Sequence, residues 1–163
     1  PRLVLGALVI LYVCNQWSRA LPSSMVSFRA LPTPQTAREF MNVALKFNEA
    51  QYGFFVSYAF TVLYTIASLF AGLACDRLPR GQLLVGSALG WSIACVLQAG
   101  ANSYGQLLAS RALLGVSQAF CSPAAYPMIA ERFRPGRRAT ASAVYSSGLY
   151  LGYALASLSV LFT

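Results

Sequence analysis

The chain has 163 residues, of which 57% are hydrophobic and only 10% are charged. A soluble globular domain carries about 25% charged residues, so this chain has too few charges to cover a water-exposed surface of its size. It contains no histidine, which excludes histidine-based metal sites, serine–histidine hydrolases and histidine proton relays. We therefore expect a membrane protein that is not an enzyme, with no catalytic residues, no metal site and no cofactor.

The formal net charge of +8 raises nucleic-acid binding as an alternative. The arginines, however, lie in short gaps between apolar runs and do not line one face, which is typical of a membrane topology signal. We expect no nucleic-acid partner. The chain begins with Pro1, and from this we expect a fragment or a processed product.

Five apolar runs follow one another, and each is long enough to cross a bilayer as a helix. We predict spans at about residues 3–25, 52–74, 82–101, 106–130 and 139–162. A signal peptide is the alternative for the first run, because Arg2 precedes a short apolar core. The segment 27–51 is polar and contains prolines, so we predict a long loop with a short helix over 36–47. Pro123 and Pro127 predict a bend beside a cavity in the fourth span.

Basic residues in the gaps between spans are distributed unevenly over the two sides of the predicted membrane. One side carries seven of them and the other carries three, and the side richer in Lys and Arg is normally cytoplasmic. We therefore predict a multi-pass membrane protein with a cytoplasmic N-terminus. The seven are Arg2, Arg77, Arg80, Arg132, Arg134, Arg137 and Arg138, and the three are Arg29, Arg38 and Lys46.

Two arginines, Arg19 and Arg111, lie inside predicted spans. An arginine at the centre of a spanning helix costs about 2.5–3.5 kcal/mol on insertion scales, so each requires a reason. Asn15 shares a helix face with Arg19, and the second polar stripe comprises Arg111, Gly115, Gln118 and Ser122. These stripes indicate a water-filled cavity in which arginine recognises an anion or zwitterion. In the alternative, both arginines extend to the membrane interface by snorkelling.

The gap between the second and third spans is a tight charged turn that contains Asp76, Arg77 and Arg80. Glu131 and Arg132 fall on the same side of the membrane, and we expect them to join an ionic network with the turn. Such a network can act as a latch between two conformations. The alternative is that these charges are solvated turn residues that only set the topology.

The residues of this turn resemble a loop motif of the major facilitator superfamily, Gly-x-x-x-Asp-Arg-x-x-Arg, and Arg111 with Gly115 resembles the Arg-x-x-x-Gly motif of its fourth span. The motif residues in the turn are Gly72, Asp76, Arg77 and Arg80. The resemblance implies an all-α membrane protein with the major facilitator fold. This chain would then supply five transmembrane helices of an incomplete N-terminal six-helix bundle, and function would require the missing C-terminal half.

In this superfamily, spans one, two, four and five of each half line the substrate cavity. The resemblance therefore implies a substrate-binding set of Asn15, Arg19, Tyr58, Arg111 and Gln118. Within the superfamily the chain is similar to spinster-like lipid transporters and to organic-anion transporters. Spinster-like sequences tend to have Glu where this chain has Gln118.

These patterns favour a secondary active transporter of small organic solutes, lipid-like or anionic, that works by alternating access. Its expected partners are a small-molecule substrate and membrane lipids, and a coupling ion is left open. Two alternatives remain: a non-transporting membrane receptor or scaffold, and an inactive fragment of a transporter.

Overall fold

The computed structural model describes residues 2–29, 33–36 and 40–159, and this part of the chain is helical without a strand. A short π-helical segment, Phe54–Tyr58, joins the helix Glu49–Gly53 to the helix Ala59–Arg77. The α-helices are α1 (Arg2–Ser24), α2 (Met41–Leu45), α3 (Glu49–Gly53), α4 (Ala59–Arg77), α5 (Arg80–Ala99), α6 (Tyr104–Gln118), α7 (Cys121–Arg132) and α8 (Pro135–Leu158).

Capping explains why two helices begin earlier than the apolar runs predict. Asn48 and Gln51 form a capping box before α3, which satisfies main-chain N–H groups that have no partner within the helix. Pro135 occupies the first position of α8, where its missing N–H costs nothing. Of the loop helix predicted over 36–47, the described residues are helical at Thr36 and in α2. The predicted segment 37–39, which includes Arg38, and the predicted end of the fifth span at residues 160–162 lie outside them.

The fourth predicted span is two helices, because the regular helical hydrogen-bonding pattern is interrupted at Ala119 and Phe120. Pro123 follows the break, and a proline nitrogen cannot donate to the carbonyl four residues earlier. Beside the break, the hydroxyl of Ser87 on α5 donates a 2.7 Å hydrogen bond to the carbonyl of Ser117. Ala119 and Phe120 keep right-handed helical dihedral angles, so the interruption lies in the hydrogen-bonding pattern, just before Pro123 in the part of the span where a bend was predicted.

Three helices of the described chain are long and apolar enough to cross a membrane. They are Arg2–Ser24, the continuous helix Glu49–Arg77, and Arg80–Ala99. The broken pair α6 and α7 and the final helix α8 complete the bundle by packing. The main contacts pair α1 with α8, α5 with α6, and α4 with α6.

The bundle has two ends of different character. At one end, which we call the arginine-rich end, lie the start of α1, the α4–α5 turn and the α7–α8 turn. The opposite end, the long-loop end, holds the loop between α1 and α3. There a small second core forms around Phe47, Phe55 and Leu107, and Asn42 binds both the N–H and the carbonyl of Ser27 at 3.1 and 2.9 Å.

Candidate functional site

A polar cluster lies inside the bundle where α1 packs near α6. It contains four of the five residues expected to bind substrate: Asn15, Arg19, Arg111 and Gln118. Arg111 and Gln118 are each 2% exposed and Asn15 is 4% exposed, so the cluster is shielded by the surrounding helices. The fifth residue, Tyr58, lies elsewhere. It is 64% exposed and stacks on Phe54 in the π-helical segment.

Arg111 is held by one hydrogen bond and two aromatic rings. Its Nη2 donates to the main-chain carbonyl of Arg19 at 2.9 Å, and its Cζ lies 5.3 Å from the ring centroid of Phe55 and 5.2 Å from that of Phe60. Its Nε and Nη1 are buried and have no hydrogen-bond partner in the described residues. The side chain is thus turned into the bundle, whereas snorkelling requires an exposed guanidinium.

The Arg19 side chain is half-buried and lies against aromatic rings of α4. Its Cζ is 4.4 Å from the ring centroid of Phe60 and 5.6 Å from that of Tyr64. The sequence alone does not single out these rings, because aromatic residues in an apolar run carry no signal that separates a site from a core. The spacing Phe60, Tyr64, one helical turn apart and on the same face, would have been consistent with such a role.

Gln118 lies two turns after Arg111 on α6 and connects α6 to α1. Its Nε2 donates to the carbonyl of Asn15 at 3.2 Å and to the hydroxyl of Ser18 at 3.1 Å. Within the described chain, its Oε1, the Nδ2 of Asn15 and the Oε1 of Gln16 are buried without a partner. Buried polar groups are normally hydrogen-bonded. The cluster therefore offers both donors and acceptors to a polar ligand.

No carboxylate neutralises the two guanidiniums within the described part of the chain. The sequence contains four acidic residues. Glu49, Asp76 and Glu131 are exposed at helix ends, and Glu39 lies outside the described residues. A buried unpaired charge is costly, so an anion in this cluster would be stabilised by both arginines.

A second polar site, at the arginine-rich end, is a cleft of about 400 Å³ between the α4–α5 turn and α7. Arg80 forms an ion pair with Glu131, which joins α5 to α7. The cleft brings together five of the six expected gating residues, Asp76, Arg77, Arg80, Glu131 and Arg132. The sixth, Gly72, lies one turn before Asp76 on α4, and a Cβ added to it would meet nothing within 4 Å.

The fold is that of a helical membrane protein, and comparison with known proteins identifies its family. The family model for the Major Facilitator Superfamily matches residues 8–162, and the chain belongs to this family. Its structure is similar to that of a bacterial homologue of the human lysosomal transporter Spinster in an inward-facing, unoccupied conformation. The TM-score is 0.86 at 25% sequence identity, and the match covers 96% of this chain and 30% of that one.

Curated relatives are similar over shorter segments. The chain is 32% identical over 100 residues to "Probable anion transporter 5" of Arabidopsis thaliana, covering 55% of this chain and 23% of the relative. It is 31% identical over 106 residues to the D-galactonate transporter of Escherichia coli, covering 65% of this chain and 24% of the relative. The matched segments are thus about a quarter of the length of these relatives.

These findings confirm the expected family and fold class. The chain is part of an integral, multi-pass membrane protein of a transporter family, with the fold of the N-terminal part of such a transporter. Of the relatives, one is named as a probable transporter of anions and the other as a transporter of D-galactonate.

Proposed function

We propose that this bundle is part of a secondary active transporter that carries small organic anions by alternating access, and that it has no enzymatic activity. The observation that carries the proposal is the guanidinium of Arg111, which is buried and keeps Nε and Nη1 free of partners in the described chain. Nε and Nη1 lie on different edges of the guanidinium, and each can donate a charge-assisted hydrogen bond to an oxygen of an anion. The relatives named for anion and D-galactonate transport support the same substrate class.

Each residue of the polar cluster has a proposed role in binding. Arg111 binds the carboxylate, and Arg19, whose guanidinium lies against the same Phe60 ring, adds a second positive charge. Asn15 and Gln118 offer an unpaired amide donor and an unpaired amide acceptor, which suits the hydroxyl groups of a hydroxy acid. Tyr58 stays a prediction, because its side chain is exposed and stacks on Phe54.

The cleft at the arginine-rich end is proposed to be a latch between two conformations. Its ion pair joins the start of α5 to the end of α7, and an interface of this type can exist in two discrete arrangements. We further propose that this end is cytoplasmic, because the basic residues of the chain concentrate there. A second helical bundle, supplied by the rest of the transporter, would face this one and complete the substrate cavity.

The test is uptake by the complete two-bundle protein reconstituted in liposomes. We expect concentration-dependent uptake of D-galactonate or a related hydroxy acid, and no uptake of D-galactose, which has a similar size but lacks the carboxylate. Uptake of neither compound, and of no other carboxylate in a panel, would overturn the proposal and favour the receptor or scaffold alternative. Uptake of a phosphate-bearing lysolipid in place of carboxylates would instead support the lipid-like class of substrate.

Sidedness can be tested independently of transport. Cysteines introduced at Arg134 and at Asn102, which are exposed at opposite ends of the bundle, should react from opposite sides with a membrane-impermeant maleimide. In intact cells, we expect Asn102→Cys to be labelled and Arg134→Cys to be protected until the membrane is permeabilised. The reverse pattern would contradict the proposed orientation.

A further inference from the structure

One aromatic ring lies against both intramembrane arginines. The Cζ of Arg19 lies 4.4 Å from the ring centroid of Phe60, and the Cζ of Arg111 lies 5.2 Å from the same centroid. Phe60 is 1% exposed. The two like charges are therefore separated by no more than the sum of these distances, in a buried setting where water screens them poorly.

The position of this ring depends on a glycine of the neighbouring helix. A Cβ added to Gly115 on α6 would lie 2.8 Å from the carbonyl oxygen of Phe60 and 3.4 Å from its ring. Real Cβ atoms do not approach a main-chain oxygen this closely. Gly115 therefore allows α4 to approach α6 until the ring of Phe60 reaches Arg111, which lies one turn before Gly115 on the same face.

The chemistry of a phenyl ring suits this position better than a polar group would. The ring face carries negative electrostatic potential, so each guanidinium is attracted to it. A phenyl ring also accepts no conventional hydrogen bond. It can hold Arg111 while leaving Nε and Nη1 free of partners within the described residues, whereas an amide or carboxylate would occupy those donors.

We propose that Phe60 is a positioning residue for anion binding, and that it sets substrate affinity by fixing both guanidiniums against its ring with their remaining N–H groups directed to the ligand. The inference rests on the proposed function, since it requires an anion to bind at Arg111. It goes further by assigning a specific electrostatic role to an apolar side chain that touches no acid and forms no hydrogen bond in the described structure.

The decisive experiment changes the charge distribution of the ring while leaving its shape nearly unchanged. Phe60 is replaced in the complete transporter by phenylalanine with one, two or three ring fluorines, which progressively weaken the negative potential of the ring face. D-Galactonate uptake then gives KM and the maximal rate for each protein. We expect KM to rise stepwise with fluorination, to a total of about two- to thirtyfold, the range that corresponds to a cation–π contribution of about 0.5–2 kcal/mol.

Phe47 provides the matched control. It is buried at 5% exposure in the long-loop core and contacts no guanidinium in the described structure. The same fluorination series at Phe47 should leave KM unchanged. An effect of fluorine on ring packing alone would change KM in both series. Phe60→Leu, which keeps an apolar side chain but removes the ring, should raise KM at least as much as the trifluorinated ring.

The possible results separate the inference from the function on which it rests. Normal wild-type uptake with the same KM across the Phe60 series overturns the positioning role alone. A KM change of equal size in the Phe47 series also overturns it, because the effect would then come from packing. Absence of anion uptake by the wild-type protein overturns the proposed function, and the role of Phe60 with it.

Discussion

Arg111 on α6 donates a hydrogen bond to the main-chain carbonyl of Arg19 on α1 across 2.9 Å. Gln118 repeats the arrangement two turns later, with its amide on the carbonyl of Asn15 at 3.2 Å. Two polar side chains of one helix thus bind the backbone of another, in the part of the bundle that is shielded from solvent. Because both acceptors are main-chain atoms, these two hydrogen bonds do not depend on the side chains of α1, whereas the bond from Gln118 to the Ser18 hydroxyl does.

Replacement of Arg111 by lysine should weaken anion binding although the charge is kept. Lysine lacks the planar fork, so it cannot bind the Arg19 carbonyl and a carboxylate in the same geometry. Hydrogen bonds to charged groups contribute about 1.5–3 kcal/mol, so we expect KM for D-galactonate uptake to rise roughly 10- to 150-fold.

The matched control is Arg134→Lys, the same change at an exposed residue between α7 and α8. It should leave KM unchanged at equal amounts of protein in the membrane. An unchanged KM in the Arg111→Lys protein would mean that Arg111 is structural and that the anion binds elsewhere.

Neutralising Glu131 should shift the balance between inward- and outward-facing conformations. Glu131→Gln removes the charge that holds Arg80 but keeps the side-chain shape. An exposed ion pair contributes at most about 1 kcal/mol, so the shift should not exceed about fivefold. Asp76→Asn, in the same cleft, should move the balance as well. Accessibility of cysteines in the polar cluster from either side of the membrane measures this balance.

Two further variants of the transporter make this test specific. The exchange Arg80→Glu with Glu131→Arg restores the pair and should return the balance toward wild type. Glu49→Gln removes an exposed acid at the opposite end of the bundle and should change nothing. If Glu131→Gln and Glu49→Gln gave the same accessibility as wild type, the charges at the arginine-rich end would only set topology.

The sequence is sufficient to predict the helices and the family but not the structure of the site. Long apolar runs and a charged turn around Asp76 are local signals, and the helices follow them closely. Pro123 predicts an irregularity in the fourth span, but the sequence does not show that Ser87 of a neighbouring helix binds the carbonyl of Ser117 beside it. The position of Phe60 against two arginines depends on the relative rotation of three helices, which no single segment encodes.

Gly152 should be the glycine least tolerant of substitution in the contact between α1 and α8. A Cβ at this position would lie 2.5 Å from the Cβ of Gln16 and 2.9 Å from the carbonyl of Val13. Overpacking of this kind typically costs about 1–3 kcal/mol, so Gly152→Ala should lower the thermal stability measured in detergent. Gly86→Ala is the control, since a Cβ there meets nothing within 4 Å and alanine favours the helix. Equal stability of both variants would contradict the close contact.

The resistance of the loop between α1 and α3 to proteolysis should depend on Asn42 and not on Asn48. Asn42 both accepts from the N–H of Ser27 and donates to its carbonyl, so Asn42→Asp sets a carboxylate oxygen against that carbonyl at a residue that is 8% exposed. Loss of a buried partner costs about 1–3 kcal/mol, and we expect faster proteolysis of the loop.

Asn48 provides the control. At Asn48 the side chain only accepts, from Gln51, and Asp caps a helix as well as Asn does. Asn48→Asp should therefore be cleaved at the wild-type rate. Equal cleavage of both variants would show that the Ser27 contact does not hold the loop.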